Sequence, residues 1–224
     1  MQLSAQLLGR VVWFVESADL TPRGAAFYPD IVRALAERYS FQKFPQRFED
    51  FDESKGIAFE MGKIEDKTIN KVMIFSNAVS LETTSSTQVS ESILEEALVW
   101  ATQKLGLHYA RGMVKRKTYV NQFSFYSDAP LLQMNPVLRD LSIKTSKVVS
   151  ENLKSQSTFE PAAILIGLDP EFQRIPTSAF SIERRQQTPF SDNKYFSAAP
   201  LPTDIHIELV EEFEKYIAGG KAKF

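Results

Sequence analysis

The chain holds two imidazoles, His108 and His206. A serine nucleophile would need one of them as its base, oriented in turn by a carboxylate. No G-x-S-x-G elbow is present to display such a serine. His108 follows Gly106-Leu107, just past a helix-like stretch, where the helix dipole favours a cation. His206 falls in the first turn of a helix if Thr203 is the cap, an exposed or capping position that favours neutral imidazole. An enzyme would have to gather His206, Glu208 and Arg184 in one cleft, with the imidazole buried.

Carboxylates adjoin at Glu95-Glu96, Glu211-Glu212 and through 49–53. Neighbours on a helix point about 100° apart, so the first two pairs read as solvated faces rather than acid/base dyads. The third lacks the D-x-[DN]-x-[DN]-G order of a calcium loop. Glycines are scattered, with neither G-x-x-x-x-G-K-[ST] nor G-x-G-x-x-G, so the usual phosphate cradles are missing. There is no cysteine, which removes disulfides, thiolate nucleophiles and zinc ribbons. No metal, cofactor or catalytic residue is expected from these patterns.

Two clusters fit binding better than reaction. Arg111, Lys115, Arg116 and Lys117 lead into Tyr119, Phe123 and Phe125, a basic-then-aromatic order that single-stranded nucleic acid binders use. Lys144, Lys147, Lys154 and Arg184-Arg185 would extend it in space. The plainer reading is a charged strand entry followed by a core-facing aromatic row. Phe41, Phe44, Phe48 and Phe51 form the other cluster; they are either core or an apolar surface that docks a partner.

The elements that must position these groups follow from ordinary globular usage. The 224 residues are 43% apolar and 24% charged, with 17 Phe and a net charge of −2. That balance excludes a polycation that coats DNA and an acidic tail. The first ten residues lack a basic leader, and Arg10 breaks their apolar run, so a cytoplasmic protein without a membrane segment is expected.

Hydrophobic periodicity predicts strands at 5–16, 57–63, 70–84 (one, or two broken near Asn77), 114–127, 159–168 and 177–186. A short one at 194–198 fits a mostly loop-like stretch. Ala162 to Leu168 reads as a strand buried on both faces. Helices are predicted at 24–39, starting nearer Pro29, at 90–105 with a Ser92–Glu95 capping box and a Gly106 stop, at 136–154 and from Thr203 to 217. Thr21-Pro22 opens a turn or helix, and 219–223 is a frayed tail.

Four short segments echo in the same order. Phe14–Leu20 matches Phe125–Leu131, Ile31–Leu35 matches Val137–Leu141, Val79–Glu82 matches Phe180–Glu183, and Ile93–Glu96 matches Leu209–Glu212. The expected fold is α+β: an antiparallel sheet with helices mainly on one face, in two related β-α-β-β-α halves, 1–112 and 113–224, packed as one body. This order of elements is similar to that of duplicated saddle folds such as the TATA-binding protein, although none of that family's sequence motifs occurs. The resulting expectation is a non-catalytic module that binds a protein partner or its own copy, through a sheet edge or the bare sheet face. Nucleic acid binding along 111–126 and an enzyme near His206 are the alternatives.

Overall fold

The structure is a computed structural model that describes residues 1–21, 28–172, 175 and 177–219. The first half contains β1 (Gln2–Phe14), α1 (Ser17–Leu20), α2 (Tyr28–Arg38), β2 (Ile57–Ile64), β3 (Lys67–Ile74), β4 (Val79–Thr83) and α3 (Thr87–Leu105). The second contains β5 (Arg116–Tyr126), α4 (Pro136–Leu153), β6 (Ala163–Ile166), β7 (Phe180–Arg184), β8 (Lys194–Ala199) and α5 (Thr203–Ile217). The fold is α+β, one antiparallel sheet in the order β2-β3-β4-β1-β5-β8-β7-β6. The proposed helix start at 24–27 and the tail beyond 219 lie outside the described residues, as does Pro22.

Apart from α1, each half runs strand, helix, three strands, helix, one strand more than expected. The additional strand of the second half is β8, where Tyr195, Ser197 and Ala199 alternate inward as a half-buried strand requires. Three of the four echoes fall in corresponding elements. The other does not: Val79–Glu82 is β4, whereas Phe180–Glu183 lies in β7. Ile93 and Leu209 are separated by 116 positions, the separation of Thr87 and Thr203, and that offset carries Val79 to Tyr195, in β8.

The chain divides into two compact units: Gln6–Asn121 with Pro200–Thr203, and Met1–Ala5 with Gln122–Ala199 and Asp204 onward. In the first unit, register fixes which side chains meet the helices. Val11, Leu81, Val72 and Phe59 stand in one cross-strand row and Trp13, Val79, Ile74 and Ile57 in the next. Val32 of α2 and Leu94 and Leu98 of α3 share a core with them. The opposite face carries Arg10, Glu82, Lys71 and Glu60 in one row. Arg10 reaches Glu82 at 2.5 Å and Lys71 reaches Glu60 at 3.1 Å, so charges alternate across four strands and cancel.

Helix α3 begins at Thr87, about a turn earlier than predicted. Its N-cap is Ser86, which accepts from the Val89 N–H, and not the Ser92–Glu95 pair. Gly106 ends it in the left-handed conformation, as expected. Thr203 is the first residue of α5, and its hydroxyl turns away from its own helix. It accepts from the Thr87 N–H at 2.9 Å, while the Thr87 hydroxyl accepts from the Thr203 N–H at 2.8 Å. Two helix starts thus satisfy one another's orphan donors. Thr203 also donates to Asn121 Oδ1 at 2.8 Å, and all three residues are buried. Thr203→Val should strand the Thr87 N–H and cost about 2 kcal/mol in urea unfolding. Adding Thr87→Val should cost less than the sum of the single variants, because the pair acts together.

In the second unit, Ile164, Ile182 and Ser197 form a row on the helix side. Phe123, Phe125, Ile182, Tyr195 and Val210 of α5 make its core, with Leu131 and Leu132. Helix α4 buries no residue. The strand predicted to be buried on both faces is a correction: β6 is short, stands last in the sheet, and leaves Leu165 71% and Ile166 61% exposed. An edge strand has one neighbour only, and among the described residues α4 brings no side chain into the core that would cover it.

Candidate functional site

His206 is fully buried, not exposed or capping. On α5 it follows Thr203 by three positions and precedes Val210 by four, so all three share the inward stripe. Its ring lies 4.5 Å from that of Phe123 and 5.5 Å from that of Phe180. Burial pushes its pKa down to about 4. Its Nε2 is 2.8 Å from Ser197 Oγ, and Ser197 Oγ is 2.7 Å from the Ser181 carbonyl. A hydroxyl has one proton, and the carbonyl can only accept it. Nε2 must therefore donate to Ser197, the reverse of the arrangement that activates a serine. Sequence patterns missed Ser197, which has no motif around it.

The other members of the supposed site diverge. Glu208 is exposed on the opposite side of α5. Arg184 pairs with Glu160, donates to the Phe190 carbonyl at 3.1 Å, and lies over the Phe190 ring at 4.5 Å. His108 is exposed beyond Gly106, and its backbone N–H donates to the Leu20 carbonyl. The three residues of the enzyme alternative are not gathered around a cleft.

The basic strand entry is already engaged. Arg111 pairs with Glu95, Lys115 with Glu16 at 3.4 Å and Lys117 with Glu91 at 2.6 Å. Arg116 lies 4.4 Å over the Phe14 ring. Tyr119 is half-buried and donates to Glu91, while Phe123 and Phe125 are core. Alternation on a strand sends those aromatics inward, where no base can stack on them.

The phenylalanine cluster divides in the same way. Phe41 is buried 5.3 Å from the Phe59 ring, and Phe44 and Phe51 pack half-buried against that core. Phe48 alone is exposed, at 97%.

No group of three or more metal-binding side chains occurs among the described residues. An aliphatic cavity between α2, α3 and the sheet measures about 90 Å³, well below the roughly 300 Å³ of a small ligand pocket. No helix among the described residues is long and apolar enough to cross a membrane.

The feature that stands out is the stretch from Met134 to Leu168. Eighteen large apolar side chains are exposed among the described residues, and eleven lie in this stretch. Helix α4 is amphipathic but turned about. Ser146 Oγ accepts from the Phe159 N–H at 2.8 Å and Ser150 Oγ from the Ser157 N–H at 2.9 Å. These bonds put the serine stripe against the following loop. Val137, Leu141 and Val148, on the opposite face of the helix, point to solvent, with Val137 75% exposed. Their echo in the first half behaves otherwise: Ile31 and Val32 of α2 are buried.

No family model matches the chain, and no curated protein matches it. Among solved structures it is similar to Methanococcus jannaschii TBP, at 8% identity over 97% of this chain and 98% of that one, with a TM-score of 0.40. A likeness at that level carries nothing about what this chain binds.

Proposed function

We propose that this protein is a non-catalytic cytoplasmic binding or assembly module that works through protein–protein contacts, without metal or cofactor. One observation carries the reading. Large apolar side chains of α4 and of β6 are exposed, in a stretch whose composition suits burial. His206 and the basic entry at 111–117 are engaged within the protein's own structure. His206 holds Ser197, the basic entry is paired with glutamates, and the sheet face of the first unit carries a neutral charge ladder.

Association through such a surface should persist at high salt, because apolar burial is not screened. Light-scattering mass, with the 260/280 nm absorbance ratio recorded on the same peak, is the test. The expected result is a mass above that of one chain, a protein-like ratio and no loss of association between low and high salt. A raised ratio with association that vanishes as salt rises would overturn the reading in favour of nucleic acid.

A further inference from the structure

Resting on the binding-module reading, we propose that the occupant of the α4–β6 surface is a second copy of this chain, paired antiparallel along the outer edge of β6. The two ends of the sheet differ in how they are protected. At β2 the outer edge is taken by the chain itself. Glu60 and Lys43 exchange backbone hydrogen bonds at 2.8 and 3.2 Å, Gln42 N–H donates to the Met61 carbonyl, and Lys63 N–H donates to the Tyr39 carbonyl. Charged Glu60 and Lys63 and the left-handed Met61 further spoil that edge. At β6 none of these devices is present among the described residues. Ala162 to Leu168 contains no charge and no proline, and no strand lies beyond β6 among the described residues.

A bare apolar edge is a template for another strand. Antiparallel pairing with its own copy about a two-fold axis needs no second sequence and closes after two subunits. The edge carries no charge, so self-pairing opposes no like charges. Leu165 on one face and Ile166 on the other would both be covered as the sheet continues into the second copy. Val137, Leu141 and Val148 share one face of α4, and Leu165, Ile166 and Leu168 lie on or just after β6; at roughly 100 Å² each they offer on the order of 600 Å², which the paired main chain brings towards the about 800 Å² per partner of a stable dimer.

The experiment is light scattering of the purified full chain over a dilution series, for wild type, Leu165→Lys and Phe48→Lys, with anilinonaphthalene sulfonate fluorescence on each. Both substituted side chains are exposed, so neither disturbs a core. The expected mass is twice 25.4 kDa, 50.8 kDa, for wild type and Phe48→Lys. Leu165→Lys should weaken the dimer roughly 100-fold and bind more dye. A Leu165→Lys dimer as tight as wild type would overturn the β6 edge. A wild-type monomer that binds dye would overturn self-pairing while leaving the surface free for a different protein. A monomer that binds no dye would overturn self-pairing and the binding-module reading together, since the chain would be covering that surface itself.

Discussion

Acidifying the protein from pH 6.5 to pH 5 should remove about 2 kcal/mol of folding stability, and about 3 kcal/mol should be gone by pH 4. The cause is His206, whose pKa burial lowers from 6.5 to about 4. Above pH 6.5 the imidazole is neutral in both states and nothing is lost. Below it the unfolded chain takes up a proton that the native state refuses, so unfolding gains. The loss is complete once pH falls through the folded value. Glu214 is held below the usual carboxylate range, where bonds from Ser127, the Asp128 N–H and the Met1 ammonium outweigh its burial. Its contribution starts to fall only near its ordinary value of 4.5, so the interval from pH 6.5 to 5 belongs to His206. Urea midpoints at half-unit steps of pH measure the slope. In His206→Gln, which keeps a donor for Ser197, the slope between pH 6.5 and 5 should vanish; an unchanged slope would refute the assignment.

Gly9→Ala should destabilise the protein by about 3 kcal/mol or more. Gly9 sits in β1 where the start of α3 crosses it. An added Cβ would lie 2.3 Å from the Ser85 carbonyl oxygen and 2.8 Å from the Thr87 nitrogen. Both are backbone atoms, so no rotamer relieves the clash. Retreat of α3 would break the bond from Ser90 Oγ to the Gly9 carbonyl at 2.7 Å, and with it the buried Thr83–Ser90 contact at 2.9 Å. Gly112→Ala, where an added Cβ meets nothing within 4 Å, should move the urea midpoint negligibly. Equal midpoints for the two variants would contradict the close approach.

What could be read in advance was whatever is written in short-range pattern. The alternation of Ile57 and Phe59 announced β2, although the left-handed Met61 breaks it and turns outward; the stretch 70–84, readable as one strand or as two broken near Asn77, is the two strands β3 and β4; and Gly106 marked the end of α3. Long-range choices were not written that way. A strand of the composition Ala-Ala-Ile-Leu-Ile reads the same in the middle of a sheet or at its end; only topology places β6 last. β8 was nearly missed because Ser197 and Ala199 are small and carry little hydrophobic signal. Of the candidate site residues, His206 was misjudged because it was counted as polar. Its spacing to Val210, and to Thr203 before it, was the signal of burial. The basic and aromatic runs were visible as types, but the glutamates that engage them come from elements distant in sequence, Glu16, Glu91 and Glu95.

The absence of native cysteine makes the β6 edge directly testable. Leu165→Cys and Phe48→Cys each introduce a single thiol, and both sites are exposed. Treated with a short bismaleimide, Leu165→Cys should run as a covalent dimer while Phe48→Cys stays a monomer. Equal cross-linking of the two, or none at position 165, would contradict the account.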